Sequence, residues 1–279
     1  MASRDDAVGL IAGSGSFPEL IAGAVKAAGR TLVCVQVAGE SAVLPAIADR
    51  YRRVPVGALG QVIATFRAHA VREVLVSGQF PRAGVLARGD ATRDDLMKGA
   101  ADWRDVSLFE ELAGLLATQG MVLIDQPRFV SSLLAPPGLM SARTPTPEEE
   151  TDIALGRSVA RRLADLDVGQ TLVLRRGIIL AVEAAEGTDA TIRRGGAMTP
   201  HAVVVKVSRN RQDPRFDIPA VGPDTIAVMR EVAARVLSID ARRTLVLHRD
   251  RMIQAADEAG IAVVAADAPP LGTPVHGDT

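Results

Sequence analysis

The stretch V-G-L-I-A-G-S-G-S-F-P, Val8 to Pro18, decides the fold. Val8-Gly9-Leu10-Ile11-Ala12 reads as a short buried strand, and Gly13-Ser14-Gly15-Ser16 as a tight turn. Phe17-Pro18 opens a helix running to about Ala28, since proline is tolerated in a first helical turn. Gly29 ends that helix, and Thr31 to Val37 is a second, β-branched strand. Strand, glycine turn, helix and strand make a βαβ unit, which demands a parallel sheet with a right-handed crossover. Outward from it, a helix over about Leu59 to Ala70 leads to a strand at Glu73 to Ser77. A Gly78-to-Pro81 turn, a helical region over Thr92 to Gln119 and a strand at Met121 to Ile124 follow. Residues 1–133 therefore read as a Rossmann-like domain for a nucleotide or sugar phosphate.

Between Leu134 and Pro147 the composition shifts, with Pro136, Pro137, Pro145 and Pro147 marking a linker or strap over 134–147. Pro147 starts a helix whose first turn carries Glu148, Glu149 and Glu150, where carboxylates complement the dipole. Ile153, Val159, Leu163 and Leu166 supply its apolar stripe. Thr171 to Leu174 and Ile178 to Val182 read as a hairpin. Next come a charged stretch, a helix from Asp224 to Leu237, a strand at Thr244 to Leu247, a helix at Asp250 to Ala259 and a strand at Ile261 to Ala265. Residues 148–279 form a second α/β domain. The expected class is α/β with two domains, the first a Rossmann-like parallel sheet, joined through a Pro-rich linker.

A chain of 279 residues suits about two domains. With 48% hydrophobic and 23% charged residues it is globular in composition, and a net charge of -1 gives no reason to expect nucleic acid. The single cysteine, Cys34, sits in an apolar strand, so neither disulfides nor thiolate metal clusters are expected. His69, His201, His248 and His276 are scattered. Neither an H-E-x-x-H nor a G-x-S-x-G pattern occurs, which argues against a histidine zinc site and an α/β-hydrolase elbow. The first residues carry no signal sequence and no apolar run is long enough to span a membrane. A soluble cytoplasmic protein is the expectation.

Gly13-Ser14-Gly15-Ser16 with Phe17 lies where backbone amides and a helix start can hold phosphate; a plain tight turn is the alternative. It lacks the Gly-Lys-Ser/Thr of a P-loop. Pro18 stands where a dinucleotide fingerprint has its third glycine, which argues against a redox cofactor. Gly78-Gln79 ends a later strand, where open α/β sheets bind ligands; Gln79 reads equally as a ligand contact or as a polar loop residue. Lys98 and Asp102, four apart, read as a surface ion pair.

The charged stretch runs from Glu186 to Thr225. Asp189, Asp213, Asp217 and Asp224 are interleaved there with Arg193, Arg194, Lys206, Arg209, Arg211 and Arg215. Carboxylates for a cation and guanidinium groups for phosphate oxygens suit a metal-assisted phosphate site. The plain alternative is a solvated loop with surface ion pairs. Two features favour a site: Val203-Val204-Val205 runs straight into Lys206, and Gly222-Pro223-Asp224-Thr225 opens a helix. Without clustered histidines, any metal would be held by carboxylates, which points to Mg²⁺ or Mn²⁺. Asp224 could cap its helix or serve as metal ligand or base, and Asp189 could equally cap the helix that follows it.

The stretches E-G-T-D-A-T-I-R-R-G-G (Glu186 to Gly196), K-V-S-R-N-R-Q-D-P-R-F-D-I-P-A-V-G-P-D-T (Lys206 to Thr225) and I-A-G-S-G-S-F-P (Ile11 to Pro18) resemble the UDP-2,3-diacylglucosamine pyrophosphatases of the LpxI type. The resemblance spans nearly the whole chain. It implies hydrolysis of UDP-2,3-diacylglucosamine to UMP and 2,3-diacylglucosamine 1-phosphate (lipid X) in lipid A biosynthesis. It also implies a divalent cation, a substrate held between two domains, a homodimer, and transient contact with the inner face of the inner membrane. The catalytic aspartate of the family falls on Asp224. Gln212, Asp213, Arg215, Phe216 and Asp217 match one family pattern, and Thr188, Asp189, Ile192, Arg193 and Arg194 another. Gly78-Gln79 stands where many relatives have Gly-Lys. On this basis Asp213, Asp217 and Asp224 are the expected catalytic and metal-binding residues. Gly13 to Phe17, Gly78, Gln79, Thr188, Asp189, Arg193, Arg194, Lys206 and Gln212 are expected to bind substrate. The competing readings are a non-catalytic nucleotide-sugar or lipid-binding protein and, less favoured, a Rossmann oxidoreductase.

Overall fold

The computed structural model describes residues 7–80, 89–99, 105–215 and 218–268, which form two compact units. The first takes the described residues of 7–131 together with Pro214 and Arg215; the second takes the remainder from Ser132.

The first unit runs β1 (Ala7–Ala12), α1 (Phe17–Ala27), β2 (Thr31–Gln36), α2 (Val43–Ile47), β3 (Arg50–Arg53) and α3 (Leu59–Ala68). It continues with β4 (Glu73–Ser77), α4 (Ala91–Gly99), α5 (Asp105–Thr118), β5 (Val122–Leu123) and α6 (Pro127–Val130). The strands form a sheet in the order β3-β2-β1-β4-β5, every pair parallel. Its central strands are nearly continuous apolar runs because both faces are covered. Ile11, Val33, Val35, Val74 and Val76 pack against Val62 and Phe66 of α3 and Leu116 of α5. Side chains alternate along a strand, so Leu10, Leu32 and Leu75 lie on the other face, where α1 contributes Ile21 and Val25. Cys34 is fully buried on that face, and burial pushes its thiol pKa up to about 12, so it is inert core. The sequence reading passed over β3, whose Arg-Tyr-Arg-Arg is charged and largely exposed, as suits the edge of a sheet.

The second unit runs β6 (Gly138–Leu139), α7 (Pro147–Asp165), β7 (Thr171–Arg175), β8 (Ile178–Val182), α8 (Thr188–Gly196) and β9 (Val203–Lys206). Then come β10 (Ala220–Val221), α9 (Pro223–Glu231), β11 (Val236–Asp240), β12 (Leu245–Val246), α10 (Arg249–Ala259) and β13 (Ala262–Ala266). Its main sheet has the order β6-β13-β11-β9-β7-β8. The central β13, β11 and β9 are parallel and the flanking strands antiparallel; β10 and β12 pair separately. Ile153, Ala160 and Ala164 of α7 cover one face over Leu172, Leu174, Val203 and Val205. Ile192, Ile226, Met229 and Met252 from α8, α9 and α10 cover the other over Val173, Val204, Leu237 and Ile239. Helix α7 starts with a reciprocal cap: Glu149 N–H donates to Thr146 Oγ1 and Thr146 N–H to Glu149 Oε2, a device that contributes about 1 kcal/mol.

Three sequence expectations shift here. The Pro-rich stretch carries β6, hydrogen-bonded antiparallel to β13, so part of it belongs to the second sheet. Leu166 falls beyond the end of α7 and is 71% exposed. The helix expected to reach Leu237 ends at Glu231. Ala233 takes a left-handed φ of 52°, and Val236-Leu237-Ser238-Ile239 becomes a central strand, its β-branched content outweighing the helical period.

Candidate active site

The order β3-β2-β1-β4-β5 reverses direction between β1 and β4, the switch point at which open α/β sheets bind ligands beyond the strand ends. Both glycine turns singled out in the sequence lie there and are joined to each other. Ser14 N–H donates to Gln79 O (2.9 Å), Gln79 N–H to Ser14 O (2.9 Å), and Ser14 Oγ to Gln79 O (3.1 Å). Gly13 N–H donates to Ser77 O at 2.8 Å. A Cβ on Gly13 would stand 2.5 Å from Gln79 O. Gly78 has φ +96°, and a Cβ there would meet Pro18 Cγ at 2.7 Å. Pro18, which breaks the dinucleotide pattern, thus packs onto the partner loop. Gly15 and Ser16 are exposed and Phe17 half-buried.

Sequence reasoning missed Gln126. It is buried after β5, its Nε2 donates to Val76 O (2.7 Å) and Arg215 O (3.1 Å), and its N–H donates to Pro214 O (3.1 Å). The Arg215 guanidinium lies 5.7 Å from the Phe109 ring centroid. Pro214 and Arg215, from the middle of the charged motif, are therefore clipped to the end of the first sheet. A lone glutamine after a two-residue strand carries no periodic signal, which is why the sequence hid it.

In the second unit the motif sorts by partner. Lys206, at the carboxyl end of β9, donates to Thr188 Oγ1 at 2.8 Å. Thr188 donates on to Glu183 Oε1 at 2.9 Å. The chain thus brings Lys206 and Thr188 together across eighteen positions and adds Glu183, which the sequence reading did not single out. Arg193 pairs with Glu231 (2.8 Å), and Arg194 with Glu186 and the Val182 carbonyl, on the exposed side of α8. Asp189 is exposed in the first turn of that helix, and Gly187 is its N-cap residue. Arg209 pairs with Asp167, and its N–H donates to Gln212 Oε1 at 3.0 Å. Asn210 is gripped by Asp165, from N–H at 2.8 Å and Nδ2 at 2.6 Å.

Asp240, the last residue of β11, is fully buried. It accepts from Arg157 Nη2 (2.7 Å), both Arg161 amino groups (2.8 and 2.9 Å), Ser208 N–H (2.7 Å) and Ser208 Oγ (2.8 Å). Burial opposes its charge, yet the Arg161 hydrogen bonds, the Arg161 and Arg157 charges and the Ser208 amide hold its carboxyl below the usual range. Arg157, Arg161 and Asp165 recur at the i, i+4, i+8 spacing of one face of α7. That stripe was visible in the sequence, but its partner Asp240 was not.

Asp224 is the second residue of α9 and exposed. It does not cap: Gly222 is the N-cap and donates its N–H to Thr225 Oγ1 at 3.3 Å. Among the described residues the Asp224 carboxylate has neither a hydrogen bond nor an ion pair. Asp213 is half-buried, and Asp217 with Phe216 lies outside the described residues, as do Pro81 and Asp102. Among the described residues Lys98 pairs with Asp95. Among the described residues no three of His, Cys, Asp and Glu converge on a metal position. An uncommitted carboxylate such as Asp224 nonetheless fits Mg²⁺, which takes one or two protein carboxylates and completes its shell with water and phosphate.

Fold and site define a class: two successive α/β units, the first with paired glycine loops at a switch point, the second presenting a strand-end lysine and an uncommitted helix-start carboxylate. The model of the LpxI N-terminal domain matches residues 7–133, and that of the LpxI C-terminal domain residues 136–264. A protein of Caulobacter vibrioides named UDP-2,3-diacylglucosamine pyrophosphatase LpxI is 30% identical over 276 residues, covering 93% of this chain and 97% of that protein. The chain belongs to the LpxI family. Among the described residues no helix is long and apolar enough to cross a membrane.

Proposed function

We propose that this protein hydrolyses the pyrophosphate of UDP-2,3-diacylglucosamine in lipid A biosynthesis. Water adds to one phosphorus and the bridging P–O bond breaks, giving UMP and 2,3-diacylglucosamine 1-phosphate. The observation that carries the reading is the likeness, over 93% of the chain, to the C. vibrioides pyrophosphatase. A bound Mg²⁺ or Mn²⁺ would neutralise phosphate charge and polarise a phosphoryl oxygen, and Asp224, Asp213 and Asp217 are the residues we assign to hold it.

Asp224 is also the residue we assign to orient the attacking water and receive its proton, since its carboxylate is committed to no other described group. Lys206 spends one of its three donors on Thr188, leaving two for phosphate oxygens that gain charge in the transition state. Gly13 to Phe17, Gly78 and Gln79 are assigned to the substrate in the first unit, and Asp189, Arg193, Arg194 and Gln212 to it in the second. Engagement of Arg193 and Arg194 requires exchange of their present carboxylate partners. A homodimer and transient contact with the inner membrane surface belong to the same proposal.

The test is UMP release from UDP-2,3-diacylglucosamine with Mg²⁺, with Mn²⁺ and with excess EDTA. Turnover with metal that stops in EDTA is the expected result. Substrate binding without UMP under any divalent cation would leave the non-catalytic nucleotide-sugar-binding reading in its place.

A further inference from the structure

At the end of the second sheet opposite Lys206 lies a cavity of ≈ 310 Å³ lined by Arg143, Arg175, Arg176, Arg235 and His201. His201 precedes the amino end of β9 and Arg235 that of β11, whereas Lys206 closes the carboxyl end of β9. The length of β9, on the order of 13 Å, separates the cavity from that lysine.

Carboxylates line the cavity too, but each is engaged. Glu149 takes Arg143 Nη2 on both oxygens (2.7 and 2.8 Å) and caps α7. Asp152 accepts the N–H groups of Arg176 and Gly177, each at 2.7 Å. Glu148 takes Arg176 Nε at 2.8 Å. Positive charge remains. Arg175 donates to a neutral acceptor, the Pro200 carbonyl, at 2.6 Å. The half-buried Arg235 guanidinium makes no hydrogen bond or ion pair with any described residue. His201 is held at the rim with φ +64°, its N–H on Ala233 O at 2.7 Å. Guanidinium groups that share a partly enclosed cavity without a carboxylate of their own are placed for an anion with several acceptor oxygens, which two planar forks match well.

We propose that this cavity is a second anion site, taking a phosphate group between Arg175 and Arg235. The phosphate belongs either to a soluble phosphate ester or to an anionic lipid head group. The site does not depend on the proposed hydrolytic activity.

The test follows the His201 imidazole by NMR as inorganic phosphate is titrated into the full chain, with chloride at matched ionic strength as control. It is repeated on Arg175→Gln/Arg235→Gln, and both proteins are sedimented with phosphatidylglycerol and with phosphatidylcholine vesicles. A saturable phosphate response that chloride does not give, weakened at least tenfold in the variant, supports a soluble phosphate ester. Phosphatidylglycerol binding that the variant loses supports a lipid head group. A His201 response that survives the substitutions overturns the proposal, as does no response together with equal vesicle binding by both proteins. Arg235→Gln alone serves if the double variant unfolds, because that guanidinium bonds no described group.

Discussion

Asp240 and Asp224 are both aspartates of the second unit, yet their surroundings are opposite. Asp240 is fully buried and saturated by Arg157, Arg161 and Ser208. Asp224 is exposed at a helix start with no partner among the described residues. A carboxylate whose lone pairs are filled by two arginines and an amide holds a loop in place and has nothing left for a reacting group. One whose lone pairs are empty can take a cation or a water. The two acids divide the labour: Asp240 fixes the Ser208 end of the loop that follows Lys206, and Asp224 remains available for chemistry.

The contrast breaks first if Asp224 is dispensable. Asp224→Ala is expected to lower kcat by more than about 10³-fold, some 4 kcal/mol of barrier, with the unfolding midpoint unchanged. Comparable turnover in the variant would move the base or metal ligand elsewhere.

Asp240→Asn should do the reverse, costing about 3 kcal/mol of stability by leaving the buried Arg161 and half-buried Arg157 guanidinium groups without the carboxylate they share. Denaturant unfolding measures this, and an unchanged midpoint would mean that the network holds without its central charge. The pH dependence follows from the same carboxyl. Its pKa in the folded state is depressed, so its stabilisation is complete above the unfolded value of about 3.9 and disappears as pH falls through the lower folded value. The wild type should therefore lose stability below about pH 4 more steeply than Asp240→Asn does.

The smallest effect sharpens the comparison within the motif itself. Lys206→Met removes a cation whose remaining donors engage no other described group, and about 100-fold in kcat/KM, roughly 2.7 kcal/mol, is expected. A loss confined to stability would make Lys206 a prop for Thr188 and not a phosphate ligand.

The glycine turns, the βαβ start and the Val203–Lys206 strand end were legible because each is local. A glycine required by close approach, an apolar run and a charge at its end all occupy adjacent positions. Asp224 was legible as a helix-start residue for the same reason, through the Gly-Pro that precedes it. The commitments of Arg193, Arg194 and Arg209 were not legible. Opposite charges abound in this chain, and which of them meet depends on helices and strands packing from distant segments.

The sequence by itself determined two α/β units, the parallel sheet of the first, and the interleaving of carboxylates and cations along residues 186–225. Periodicity and turn residues act over a few positions, and their pattern survives in one dimension. Only the tertiary structure decided which acid is sealed and which is free. It also joined Gly13–Ser14 to Gly78–Gln79, Lys206 to Thr188 and Glu183, and Gln126 to Pro214 and Arg215. Burial and hydrogen-bond saturation depend on groups far apart in the chain, and the same aspartate is inert or reactive according to which of them arrive.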